Sequence, residues 1–219
     1  MTPTEASANP PVFDSGFRDT FAQLLRWRRD VRHFDPTPLS SELIDQILDA
    51  TCLSPSVGNA QPWRFVSVDN PANRAAIIAN FELANAEALA GYSGERAEKY
   101  ATLKLSGLHE APTHLAVFCD ETTQQGHGLG KQTMPETLRY SAVLAVHTLW
   151  LAARARGIGV GWVSILDPEA AARRLAVPTN WALVAYLCVG RSLSDSNTPE
   201  LEQLGWQART AACRQVLKR

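Results

Sequence analysis

Apolar residues at Phe17, Phe21, Leu24 and Leu25 recur at the spacing of a helix with one buried stripe, and predict a first helix from Gly16 to about Arg29. Pro36 and Pro38 block its continuation. Ser40 or Ser41 can cap a second helix, with apolar positions Leu43, Ile44, Ile47 and Leu48, that ends before Pro55. Arg64 to Val68 reads as a strand around Phe65 and Val66, Pro71 to about Ala90 as an alanine-rich helix, and Leu115 to Cys119 as a buried strand. Glu136 to Arg156 is the longest helical pattern. Leu138, Val143, Leu144, Val146, Leu149, Trp150 and Leu151 place apolar groups nearly all round it, which demands burial at the centre of the domain or between two subunits. Gly157 ends that helix. Val160 to Ile165 and Ala182 to Val189 are the last strands, separated by a short helix that Asp167-Pro168-Glu169 caps and starts.

The connecting segments carry most of the chemistry. In Ser54 to Trp63 two prolines stiffen the chain, Gly58 permits close backbone approach, and Ser56, Asn59 and Gln61 offer short hydrogen-bonding groups. Such a loop either lines a flat polar ligand or forms a capped turn into a strand. Gly91 through Glu110, with Arg96, Lys99, Tyr100 and Lys104, is either a lid or a solvated helix. His127 sits in a glycine-marked loop with no second His, Cys or carboxylate at ligand spacing, so no metal site is expected. Gly157-Ile158-Gly159-Val160-Gly161-Trp162 follows a helix and enters a strand, the reverse of a dinucleotide fingerprint. Its glycines are read as close packing plus backbone access to a planar ligand. The tail beyond Gly190-Arg191, with Pro199-Glu200-Leu201 and Gly205-Trp206, is a candidate to wrap a second subunit.

Composition narrows the function classes. The chain has 219 residues, 45% of them hydrophobic, enough for one well-buried domain, expected over residues 16–219 behind a loose tail at 1–15. With 21 basic against 22 acidic residues, no global field draws it to nucleic acid or an anionic membrane, so any anion site is local. Cys52, Cys119, Cys188 and Cys213 form no Cys-x-x-Cys pair and suggest a reducing compartment. Met1 to Pro11 lacks the features of a signal peptide, and Val143 to Ala153 is too short to span a bilayer. A cytoplasmic protein is expected.

Arg28-Arg29-Asp30-Val31-Arg32 is the chemically costly stretch, because three guanidinium groups crowd one carboxylate. Were the preceding helix to continue, Arg28 and Arg32 would share a face and could grip a phosphate, with Asp30 pointing away. Its pKa would be lowered by the cations, leaving an ionised group able to accept a proton. The alternative is a basic helix end facing water.

Taken together, this Arg-rich helix end, the Pro-Ser-x-x-Asn-x-Gln-Pro-Trp loop, the long apolar helix and the Gly-x-Gly-x-Gly-Trp run resemble the FMN-dependent nitroreductase superfamily, from about Phe17 to Trp206. Within it the likeness is to the flavin-cleaving 5,6-dimethylbenzimidazole synthases, on Asp30 where ordinary nitroreductases usually carry Ser, on Ser93 to Arg96 with Lys99, Tyr100 and Leu103 to Leu105, and on Ser164. The resemblance implies an α+β fold, a nitroreductase-like three-layer sandwich with a central mixed, mainly antiparallel sheet, and a domain-intertwined homodimer with two FMN sites at its interface. It implies reduced FMN as substrate and molecular oxygen as co-substrate. The products would be dimethylbenzimidazole, the lower ligand of cobalamin, and erythrose 4-phosphate, with a separate flavin reductase supplying the reduced flavin. By the same resemblance Arg28, Arg29, Val31 and Arg32 bind the phosphate and ribityl chain. Ser56 contacts the flavin from the other subunit, Leu103 covers it from the lid, and Asp30 and Ser164 form the catalytic pair. Asn59 and Arg191 look more like an ordinary NAD(P)H-dependent nitroreductase that recycles FMN as a cofactor, which is the alternative function.

Overall fold

The computed structural model describes residues 10–219, so residues 1–9 of the expected tail lie outside the described residues. Helix α1 (Ser15–Trp27) starts where the Asp14 carboxylate accepts the Phe17 N–H, and α2 (Ser41–Thr51) where the Ser40 hydroxyl accepts that of Leu43. Strand β1 (Phe34–Asp35) lies between them, too short to show a period in the sequence. A 3-10 turn at Val57–Asn59 leads to β2 (Trp63–Ser67), followed by α3 (Pro71–Ala90), α4 (Gly94–Thr102) and β3 (Thr113–Asp120). Then come α5 (Thr137–Arg154), β4 (Gly159–Val163), α6 (Pro168–Arg174), β5 (Trp181–Ser192) and the single turn α7 (Glu200–Gln203).

The fold is α+β. β5 is its spine, pairing antiparallel with β3, β4 and β1, while β2 adds to the outer edge of β3. The one parallel pairing among the described residues is a single bridge between Asp30 and Val160. Alternation along β3 and β5 sends Ala116, Phe118, Tyr186 and Cys188 to one face, packed on Phe34, Ile77 and Ala171. Leu115, Val117, Ala185 and Leu187 face the other side, against Ile47 of α2 and Val146 and Leu149 of α5. Helices therefore cover both faces, giving three layers.

Several expectations change here. β5 runs on to Ser192, so Gly190 and Arg191 belong to its ladder, Arg191 opposite Asp35, rather than standing past its end. The stripe of α1 is not buried within the chain: Phe17, Phe21 and Leu25 stay exposed, as do Tyr140, Val143 and Leu144 on the outer side of α5. Only the inner side of α5, from Leu138 through Ala142, Val146 and Leu149 to Ala153, is buried. Gly58 has φ +53, and a Cβ on it would stand 2.8 Å from the Leu129 carbonyl oxygen, so its freedom serves the packing of the 126–130 loop. The tail finds partners on its own chain: Asp195 is paired twice by Arg154, and Glu200 meets His33.

One buried titratable pair lies in the core beneath β3 and β5. His114 Nδ1 is 3.0 Å from the Tyr186 hydroxyl, and burial, reinforced by Arg74, pushes the imidazole pKa down from 6.5 to about 4. The unfolded chain therefore binds a proton that the folded chain refuses between those values. Stability should be intact above pH 6.5 and fall by roughly 3 kcal/mol as pH drops toward 4. Urea denaturation at pH 7 and pH 4.5 checks this, and a His114→Gln variant should show a shallower dependence.

Candidate functional site

The arginine segment is positioned by β4. α1 ends at Trp27, and Arg28 is its cap, with extended backbone and its N–H on the Leu24 carbonyl. Arg28 and Arg32 consequently do not share a helical face, contrary to expectation. Instead Asp30 and Val31 lie along β4, with the Val31 N–H donating to the Val160 oxygen at 3.1 Å. Gly161 makes this possible, because a Cβ there would sit 2.1 Å from the Val31 carbonyl oxygen, while one on Gly159 would strike the Val31 side chain. These glycines provide the close packing that the sequence suggested, here against the backbone and side chain of Val31.

Extended backbone puts residues i and i+2 on one side, and Asp30 and Arg32 bond there. Asp30 Oδ1 accepts the Trp162 N–H at 2.8 Å and Oδ2 accepts Arg32 Nε–H at 3.1 Å. Arg32 is nearly buried and also donates to the Lys104 carbonyl at 3.0 Å. The Asp30 side chain keeps 33% of its surface open, with protein crowding the rest. Burial raises its pKa above the ordinary carboxylate range, outweighing the Trp162 N–H, Arg32 and Arg28, which all lower it. The shift is opposite to the lowering that the neighbouring cations alone would produce.

Around this carboxylate the cations are crowded. Arg28 stacks over the Trp150 ring at 4.7 Å, and the Trp150 indole N–H donates to the Arg29 carbonyl at 3.1 Å. Arg29 donates to the Arg26 carbonyl, while its Nε is buried with no hydrogen-bond partner among the described residues. Burial lowers the pKa of both guanidiniums, and Arg209 adds to the lowering at each. Arg209 lines one cleft with Arg28, Arg29, Asp30, Arg32 and Glu200. Sequence reasoning missed it, since it stands in a tail without periodicity. Four guanidiniums facing two carboxylates leave a surplus of two positive charges, which fits the charge of a phosphate monoester.

The other candidate residues are placed differently. Leu103 caps α4 immediately before Lys104, whose carbonyl holds Arg32, so it borders the cluster. Ser164 is exposed, one residue past β4 and two beyond the Trp162 N–H that holds Asp30. Ser56 belongs to another neighbourhood: its hydroxyl accepts the Gln61 N–H, and the adjoining Val57 N–H donates to Ser141 of α5. Ser141 lies roughly 13 Å along α5 from Trp150.

This geometry coincides with a match to the nitroreductase family over residues 25–191. The 5,6-dimethylbenzimidazole synthase of Rhodospirillum rubrum is 59% identical over 199 residues, 91% of this chain and 94% of that protein. The chain belongs to the nitroreductase family, on its 5,6-dimethylbenzimidazole synthase branch. A synthase of the same description from Rhodobacter capsulatus is 51% identical, covering 89% of this chain and 94% of its own. Among solved structures, oxidized iodotyrosine deiodinase bound to FMN and 3-iodo-L-tyrosine superposes with a TM-score of 0.70 at 24% identity, covering 90% of this chain and 97% of that one. That likeness shows the nitroreductase fold.

The close approach at Gly161 is testable without substrate. Gly161→Ala should force Asp30 and Val31 off β4 and cost about 2 kcal/mol by overpacking. Chemical denaturation measures it, and a fully stable variant would contradict the placement.

Proposed function

We propose that the enzyme uses molecular oxygen to fragment reduced FMN into 5,6-dimethylbenzimidazole and erythrose 4-phosphate, supplying the lower ligand for cobalamin. The observation that carries this reading is a carboxylate of raised proton affinity, held by the Trp162 N–H inside a cluster of arginines. It occurs in a chain that matches synthases of that name along nearly its whole length. The donor set fits the flavin's phosphate: Arg28, Arg29, Arg32 and Arg209 line one cleft, and the buried Arg29 Nε lacks a partner among the described residues. Reduced flavin supplies the electrons for oxygen and the ring that becomes the benzimidazole.

The chain's own residues then do three things. The arginines fix the phosphate and so the position of the sugar junction. Asp30, ionised and anchored through one oxygen to Trp162, accepts a proton from the ribityl chain. Ser164, at the exposed end of β4, relays a proton or orients the reacting oxygen. Leu103 and the rest of the 91–110 segment exclude water, which limits loss of oxygen as peroxide. A separate flavin reductase supplies reduced FMN. The four cysteines are free thiols, which suits a reducing cytoplasm. No described helix is long and apolar enough to cross a membrane.

Asn59 and Arg191 pointed toward recycled FMN and NAD(P)H chemistry. In the structure the Asn59 carboxamide accepts from Gln61, and Arg191 stands opposite Asp35 in the β1–β5 ladder.

The active unit in this reading is a homodimer. The exposed strips on α1 and α5 supply the apolar area for a second copy, and Ser56, remote from its own chain's arginines, would reach the flavin of the partner. Leu144→Glu should therefore give a monomer by analytical ultracentrifugation and weaken FMN binding at least tenfold.

Incubation with reduced FMN in air, followed by mass spectrometry, should yield dimethylbenzimidazole. Intact FMN with steady NAD(P)H consumption would instead establish the recycling enzyme. Asp30→Asn should retain FMN and lose roughly a hundredfold or more in product formation. Because Asp30 must be deprotonated to act and its pKa is raised, the wild-type rate should fall with decreasing pH at a value above that of an ordinary carboxylate. Undiminished product from the variant would remove Asp30 from the reaction.

A further inference from the structure

The C-terminal arm and the covering segment hold each other through one aromatic cluster. Trp206 meets Tyr92 edge-on at 5.6 Å and Tyr100 at 6.0 Å, with the Arg96 guanidinium over its ring at 4.9 Å. Lys99 donates to the adjoining Gly205 carbonyl at 2.7 Å. Arg96, Lys99 and Tyr100 are spaced by three and four residues, so one face of α4 grips the 205–206 turn. Tyr100 is buried and its hydroxyl is held by Asn85 of α3. On the arm side the Trp206 N–H donates to the Leu201 carbonyl at 2.8 Å. The ring is thereby fixed to the turn that brings Pro199, Glu200 and Leu201 onto the arginine cleft.

Two further contacts close the circuit. At the far end of the cover, Lys104 accepts from Arg32 at 3.0 Å, and on the arm Glu200 Oε1 is 3.1 Å from His33 Nε2. Arginine segment, cover and arm each touch the other two, and the cleft lies between the arginine segment and the arm. The arm brings Arg209 to the arginines, and the cover adjoins them through the Lys104 carbonyl that holds Arg32. A ligand that orders the arm therefore orders the cover with it, provided the Trp206 junction holds.

We infer that Trp206 is a positioning residue, a latch that makes the cover and the C-terminal arm close over the ligand as one unit. The inference rests on the reading of the arginine cleft as the flavin site. Its chemical consequence is that ring end and phosphate end are shut together, so oxygen meets reduced flavin only in a closed site.

The test compares the wild-type enzyme with Trp206→Ala and Trp206→Phe in three measurements. Fluorescence titration with oxidised FMN should show about a tenfold loss of affinity in the alanine variant, the order expected for one aromatic and one cation–π contact, with most of it restored by phenylalanine. Hydrogen exchange should slow in residues 94–102 and 199–207 together when FMN binds the wild type, and that joint protection should vanish in Trp206→Ala. With reduced FMN in air, Trp206→Ala should raise KM more than it lowers kcat and release a larger share of oxygen as peroxide.

Unchanged affinity and unchanged exchange in α4 of Trp206→Ala would overturn the latch. Exchange accelerated equally in β3 and β5 would also overturn it, by showing that Trp206 supports the whole fold. A wild type that binds FMN yet makes no dimethylbenzimidazole would remove the synthase reading and leave the latch standing. A wild type that binds no FMN would remove both.

Discussion

A single hydrogen bond, from the Trp162 backbone N–H to the Asp30 carboxylate, fixes the geometry of the candidate site. It exists because the chain leaves α1 in an extended conformation and lies against β4, and that approach is open only over glycine. The carboxylate that results is held at both oxygens, and Arg32, its partner, is pinned in turn by the Lys104 carbonyl. Each bond removes a rotamer that Asp30 would otherwise explore, so its open edge faces the cleft in a fixed direction. Removing Arg32 would do more than delete a charge, because the buried carboxylate would then lose the cation that offsets its desolvation.

The same cluster is electrostatically incomplete. Arg28 and Arg29 are partly desolvated and crowded by Arg209, and both guanidiniums are less easily kept protonated than a free one. Stacking on Trp150 and a carbonyl at the end of α1 relieve part of that cost, but an N–H of Arg29 stays buried without an acceptor among the described residues. A dianionic phosphate, the group proposed for this cleft, would answer both deficits together, supplying acceptors and cancelling the surplus charge. Binding energy and local stability would then be coupled at this site, since the free protein carries repulsion that such a ligand removes.

The elements were readable in the sequence wherever a period ran long enough. α2 shows its cap and apolar spacing directly, α6 its Asp167 cap, and α3 its alanine-rich run from Pro71; the Asn70 carboxamide that caps α3 emerged only in the structure. What escaped depends on long-range contact. β1 is two residues long and exists because Phe34 is buried and Ser192 pairs with it. The direction of the Asp30 shift required knowing that burial outweighs three favourable neighbours, which no spacing of charges reveals. Arg209 joined the cluster through an arm whose anchoring ring, that of Trp206, packs on Tyr92 and Tyr100 far earlier in the sequence. The arginine segment was legible as a crowd of charges but not as geometry: its residues do line one cleft, and they do so along an extended chain rather than on a helical face.

Under the proposed reaction, residue 30 must supply a base. A serine there could accept the Trp162 N–H and leave the backbone path intact. It could not bond Arg32 as a charged partner, and its hydroxyl is far too weak an acid to serve as a standing base near neutral pH. Aspartate adds both properties at the cost of burying a charge, and that cost is visible as its raised proton affinity. The cost is also what makes the group useful, because a carboxylate that binds protons more tightly takes one from a weakly acidic donor more readily. Under the proposed function, fixing that base beside an anchored phosphate, under a cover tied to the arm, is the combination that would turn a fold suited to holding flavin toward consuming it.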